Sequence, residues 1–347
     1  MKPSRALSSR VRPALALLIA PVAGLSTIAV VGGAGAPPAG AASGGSISLV
    51  AYSTPKPAYA ALISAFNATK AGKGVSFSQS YGASGSQATS VVDGLPADVV
   101  NFSLTPDMNK LVKAGMVSPQ WSKNATKGFV TNSIVSFVVR KGNPKHITSW
   151  ADLVKSGVSV ITPNPFSSGS AKWNLMAAYG AQLNQGKSSA AATAYLTNLL
   201  KHTAAQPSSA SNALQTFLSG QGDVLLDYED DALYAKRQGE PISVITPPQT
   251  ILIQNPIAVT AKASNPSLAK AFTAFLLSPA GQKIWGQQGY RPVLPQVAAT
   301  FNFPKPKVLF TIDSLGGWTV VNVKFFDPET GVIAKIEQGL GVSTASS

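Results

Sequence analysis

The stretch VSFSQSYGASGSQATSVVDG, residues 75–94, carries three kinds of local structure in succession. VSFSQS alternates apolar and polar side chains with a period of two, the mark of a strand with one face buried. YGASGS is too small and polar for a core and suits a tight turn. QATSVV then reads as a helix, which Asp93-Gly94 would end. Strand, Gly/Ser turn and helix together are the repeating unit of an α/β fold, in which strands alternating with helices imply parallel sheets covered on both faces.

The unit recurs on either side. Residues 47–52 (ISLVAY) read as a strand. From Pro57 a helix follows, with Tyr59, Leu62, Ile63 and Phe66 at i, i+3, i+4 and i+7. Further strands are predicted at 97–100, 134–140, 158–162, 223–227, 242–246 and 257–260. Trp173, Met176, Ala177 and Gly180 share one helical face, and Leu214, Phe217 and Leu218 another. Residues 268–287 read as the longest helix.

Three helix starts follow Gly/Ser runs: YGASGSQATSVV at 81–92, PFSSGSAKWNLMAAYG at 165–180 and PSSASNALQTFL at 207–218. A helix start leaves N–H groups unpartnered and carries partial positive charge, and small residues let an anion approach closely. No Asp or Glu lies inside the Gly/Ser segments. Such a donor-only site satisfies a fully ionised tetrahedral oxyanion, whereas a monohydrogen phosphate also needs an acceptor for its own proton. The composition therefore favours sulfate-like anions. Ser84-Gly-Ser-Gln87 also fits a capping box.

Composition narrows the alternatives. Of 347 residues, 45% are hydrophobic and 12% charged, enough for a large core. The absence of cysteine excludes disulfides, thiol chemistry and a lipid-modified cysteine, and two histidines make a multi-histidine metal centre improbable. Neither a metal nor a cofactor is expected. Residues 1–41 read as a signal segment: Lys2, Arg5, Arg10 and Arg12 precede an apolar run from Ala14 to Val31 and small-residue cleavage sites. The folded part is thus expected in the periplasm or outside the cell, with the segment cut or kept as an anchor. The formal charge is +14, or +10 without that segment, and suits the steering of small anions. Its Lys and Arg are scattered singly, so nucleic acid is not an expected partner.

Longer phrases carry a resemblance. Residues 140–180 (RKGNPKHITSWADLVKSGVSVITPNPFSSGSAKWNLMAAYG) closely resemble the matching segment of periplasmic sulfate-binding proteins of ABC transporters. So do residues 80–100, 222–233, 278–292 (SPAGQKIWGQQGYRP) and 310–318 (FTIDSLGGW). The resemblance implies a bilobed α/β binding protein, type II-like, with an open sheet flanked by helices in each lobe. It implies a monomer that closes over one dehydrated sulfate or thiosulfate and presents it to an ABC permease. The lobes are expected at 46–136 plus 250–347 and at 137–249, hinged near 134–140 and 246–257. Carried over by position, the donors would be the backbone of Ser53, the hydroxyl and local backbone of Ser84, Ser168, Gly169 and Ser170, the backbone of Ala210, and Tyr228. The family has Asp at Ser53, glycine at Ser170, tryptophan at Tyr228 and arginine at Ser211. A phenol, unlike an indole, accepts as well as donates, so selectivity against a protonated anion is expected to weaken.

Other readings remain open at this point. Molybdate or phosphate could replace sulfate. A secreted hydrolase could use Ser84, in a partial nucleophile elbow at Gly82–Ser86, with His146 or His202 as base. Both histidines read better as a loop residue and a helix-end residue. The acidic run 227–231 reads as a helix-start cluster, lacking a calcium loop. Residues 70–74 (KAGKG) read as a turn, and Trp150, Trp173, Trp285 and Trp318 as core.

Overall fold

The computed structural model describes residues 44–344, so the signal segment lies outside the described residues. No described helix is long and apolar enough to cross a membrane. The first lobe opens with β1 (Ser46–Tyr52), α1 (Lys56–Asn67), β2 (Ser76–Gly82), α2 (Ser84–Val92), β3 (Val99–Asn101) and α3 (Thr105–Lys113). The long β4 (Phe129–Arg140) leads to β5 (Val160–Ile161), α4 (Gly169–Asn184), α5 (Ser189–Lys201), β6 (Thr203–Ala205), α6 (Ala210–Leu218), β7 (Val224–Tyr228), α7 (Glu229–Arg237) and β8 (Ile242–Ile245). The long β9 (Gln249–Val259) leads back to α8 (Pro266–Leu277), α9 (Pro279–Gln287), β10 (Arg291–Pro292) and α10 (Pro295–Ala298). The chain ends with β11 (Val308–Phe310), α11 (Gly317–Val321) and α12 (Val332–Gly339).

The strands run in the order β2-β1-β3-β9-β4-β7-β5-β6. Only β1–β2, β1–β3, β5–β6, β5–β7 and β9–β11 pair in parallel. The two long strands enter antiparallel, β9 against β3 and β4 against β7 and β8, so each sheet is mixed rather than parallel. Each long strand serves both lobes. Residues 129–134 of β4 pair with 252–256 of β9, and residues 135–139 then pair with β7. The chain thus crosses between the lobes within β4 and β9.

Helices cover both faces of both sheets. Leu49, Tyr59, Phe66, Phe272 and Trp285 pack on one face of the first, and Val50, Val100, Phe102, Met108 and Leu111 on the other. The second sheet buries Phe137, Trp150, Trp173 and Leu226 on one side and Val138, Leu214, Phe217 and Leu225 on the other. All four tryptophans read as core are buried.

Two expectations are corrected. Residues 268–287 form two helices, not one. Pro279 has no N–H to continue the first helix, and Ser278 turns to ψ 160° and accepts from Gly281 N at 3.2 Å to start the second. Residues 308–339 also pack with the second lobe, although they fall within the 250–347 block expected in the first. Phe310, Ile312, Trp318, Phe325 and Ile333 share a core with Trp150 and Trp173, and β11 pairs with the second-lobe end of β9. Gly180 makes the approach possible, since a Cβ there would lie 2.2 Å from the Phe310 ring.

Candidate anion-binding site

All three Gly/Ser segments start helices, and the fold gathers those starts. At α2 a Cβ on Gly85 would stand 3.1 Å from the Ser167 carbonyl, so the first lobe's helix start abuts the second lobe's loop. Ser167 Oγ donates to Ser208 O at 2.9 Å and Asn164 N donates to Pro207 O at 2.8 Å, tying the α4 start to the α6 start. Ser211 N donates to Ser53 Oγ at 3.4 Å, which brings α6 to the end of β1. A cleft of about 300 Å³ opens between the α2 and α6 starts, lined by Ser53, the exposed Lys56, Gly82, Ala83, Ser209 and Ser211, while Ser84, Gly169 and Tyr228 lie outside its lining.

The helix starts are open because their first turns hold no acidic residue, and α2 and α4 have no side-chain cap. Their leading N–H groups lack intrahelical acceptors. At α6, Ser209 caps Asn212 N at 3.2 Å. Ser84, Ser168, Ser170 and Ala210 are buried, and Ser170 Oγ has no partner among the described residues. Gly169 is required by close approach: a Cβ there would lie 2.4 Å from Ser103 Oγ and 2.8 Å from Leu104 Cγ.

Two details differ from expectation. Ser84 caps nothing; Ala83 occupies the cap, and the Gln87 side chain accepts from Ser80 Oγ instead. The Ser84 hydroxyl donates to Asp107 Oδ2 at 2.6 Å and accepts from Ser103 N at 2.9 Å. Its only proton is spent, which leaves backbone N–H as its free donor. A carboxylate does therefore stand beside the donors, brought from the first turn of α3. Burial pushes the Asp107 carboxyl above its ordinary range, and the Ser84 bond and the Lys172 and Lys110 charges pull it back. As for a Ser84 nucleophile, the hydroxyl's partners are Asp107 and Ser103, while His146 is exposed and His202 Nδ1 meets Asn198 O at helix α5's end.

Tyr228 ends β7 and is fully buried. Its hydroxyl pairs with Ser103 Oγ at 2.5 Å, and its ring meets Tyr52 edge-on at 6.1 Å. Burial first, then the nearby Asp230 and Asp227, push the phenol well above its ordinary range despite the Ser103 bond. The group is a neutral phenol at any working pH.

Comparison with known proteins fits this geometry. Residues 47–291 match the model of the bacterial extracellular solute-binding protein family. The chain belongs to that family. A sulfate-binding protein of Synechococcus elongatus is 38% identical over 307 residues, 85% of this chain and 87% of that protein. A thiosulfate-binding protein of Pseudomonas aeruginosa is 32% identical over 268 residues, 74% and 80% of the two chains. The solved sulfate-binding protein SubI from Mycobacterium tuberculosis H37Rv is 48% identical, with a TM-score of 0.79 over 81% of this chain and 99% of that one.

Two polar residues that meet the expected donors of this solute-binding protein escape a reading of motifs. Asp107 lies 23 positions from Ser84 and Ser103 lies 125 from Tyr228, and neither sits in a Gly/Ser run. The only sequence signal is their place just after the predicted strand at 97–100, where α/β ligands sit. The acidic run opens α7, as expected, but Glu229, Asp230 and Asp231 are buried there. Arg291 holds Glu229 with bonds of 2.6 and 3.0 Å. Burial pushes Asp230 up to about 7 and Asp231 up to about 8.

Proposed function

We propose that this protein captures sulfate or thiosulfate between its lobes with uncharged donors and delivers it to an ABC permease. The observation that carries the reading is the meeting of the α2, α4 and α6 starts, from both lobes, beside Ser53. The donors would be the backbone of Ser53, Ser84 and Ala210, the 168–170 segment with the Ser168 and Ser170 hydroxyls, and the Tyr228 hydroxyl pair. A hydrogen bond to a charged partner contributes ~1.5–3 kcal/mol net of the water bonds it replaces, so donors gathered from both lobes add up to tight binding. Anchoring donors in both lobes favours the closed form, because only that form makes every bond. The names of the relatives support a carrier rather than an enzyme. The chain would act as a monomer outside the cytoplasm, exported by residues 1–41, cut or kept as an anchor.

Asp107 supports a second reading, since a carboxylate beside the donors could accept the proton of hydrogen phosphate. Calorimetric titration with sulfate, thiosulfate, molybdate and phosphate separates the two. Sulfate or thiosulfate should bind at least a hundredfold more tightly than phosphate. Phosphate binding as tight as sulfate would transfer the assignment to the second reading.

A further inference from the structure

Ser103 is the most heavily engaged polar residue at the junction of the lobes. Its N–H donates to Ser84 Oγ at 2.9 Å. Its carbonyl accepts from Trp173 Nε1 at 3.0 Å and from Asn255 Nδ2 at 3.5 Å. Its hydroxyl pairs with Tyr228 at 2.5 Å. These bonds reach α2, α4, β9 and β7, so the backbone of Ser103 is fixed from both lobes. Only 1% of the residue is exposed, and Tyr228 is wholly covered.

The pair holds two hydroxyl protons, and one lies between the oxygens. A phenol is the stronger acid and the better donor, and an alkanol the better acceptor. Tyr228 therefore gives its proton to Ser103 Oγ, and the Ser103 proton is left to point elsewhere. The Gly169 Cα stands so close that a Cβ on it would meet Ser103 Oγ at 2.4 Å, which puts that oxygen against the 168–170 donor segment. Ser170 Oγ, buried and without a partner among the described residues, belongs to the same segment.

We infer that Ser103 Oγ is a direct ligand of the anion, and that Tyr228 serves it from behind as a donor that fixes the direction of the relay. The inference rests on reading this site as an anion carrier. Ser103 Oγ has one proton and two lone pairs, and a Tyr228 proton fills one of those pairs, so the phenol biases the remaining face toward donation. The relay thus acts on specificity: it favours a donor on the outward face, which suits a dianion without a proton of its own. Removing Tyr228 releases the rotor and admits a hydrogen-bearing anion.

The test is calorimetry with sulfate and hydrogen phosphate on wild type, Ser103→Ala, Tyr228→Phe and the double variant, each checked by thermal unfolding. Ser103→Ala should weaken sulfate by tenfold or more, and Tyr228→Phe by two- to tenfold. Phe at 228 should add less than twofold in the Ser103→Ala background. Tyr228→Phe should also narrow the sulfate-to-phosphate ratio by threefold or more, which a purely structural role would not do. A tenfold or greater loss in Tyr228→Phe with a smaller one in Ser103→Ala makes the phenol the ligand and overturns the inference. If Ser103→Ala does not fold, Tyr228→Phe decides alone: a loss outside two- to tenfold, or an unchanged ratio, overturns it. Wild type that binds no sulfate sinks the carrier reading itself, whatever the variants do.

Discussion

Helix α7 and the trio α2, α4 and α6 start in similar places, each after a strand, yet they are equipped in opposite ways. The α7 first turn holds Glu229, Asp230 and Asp231, so its positive end faces carboxylates of its own chain. The first turns of α2, α4 and α6 hold no acid at all. One helix start carries its own carboxylates; the other three carry none, and α2 and α4 lack a side-chain cap as well. An anion site can thus be recognised less by what it contains than by what its helix starts omit.

Supplying a carboxylate where one is omitted should have the largest effect. Ser84→Asp would put a second carboxylate beside Asp107 and facing the anion, and should abolish measurable sulfate binding, a loss beyond ~4 kcal/mol. Retained affinity in calorimetry would remove the α2 start from the site. Gly169→Ala comes next. Its methyl group has no room before Ser103 and Leu104, so the start of α4 must shift: overpacking of this kind costs ~1–3 kcal/mol of stability, read as a lower melting temperature, and the displaced N–H groups should weaken sulfate affinity.

The acidic helix start makes a prediction of the opposite sign. Asp230 and Asp231 carry protons in the folded protein at a pH where the unfolded chain has lost them. Raised carboxyls destabilise the fold as pH climbs above the usual carboxylate range near 4, and the loss levels off above about 8. The melting temperature should fall between pH 5 and pH 8, and Asp231→Asn should flatten that slope and raise the midpoint at pH 8 by a few degrees. An unchanged slope would mean that Asp231 is ionised in place. The smallest effect is expected at the rim. Lys56→Ala should leave the dissociation rate alone and slow sulfate association by about twofold at low salt in stopped-flow measurements, with no difference at high salt.

Much of this was legible before any coordinates. The α/β alternation and the three helix starts follow from local rules, and the segments that carry them are contiguous. Ser84 and the 168–170 segment are within reach of such rules because they open helices, whereas Ser53 and Ala210 are singled out only by the family resemblance. What escaped is non-local. Asp107 and Ser103 acquire roles only through partners 23 and 125 positions away. The packing of 308–339 onto the second lobe depends on a missing side chain at Gly180, which no periodicity reveals. The split at Ser278-Pro279 was visible as a proline, but the apolar spacing ran on through it.

A crystal structure with sulfate tests the central claim most directly. The account predicts one anion between the lobes, with the N–H groups of Gly169 and Ala210 at about 2.7–3.2 Å and no lysine or arginine side chain in contact. A sulfate held instead by a cationic side chain, or bound to one lobe alone, would contradict it.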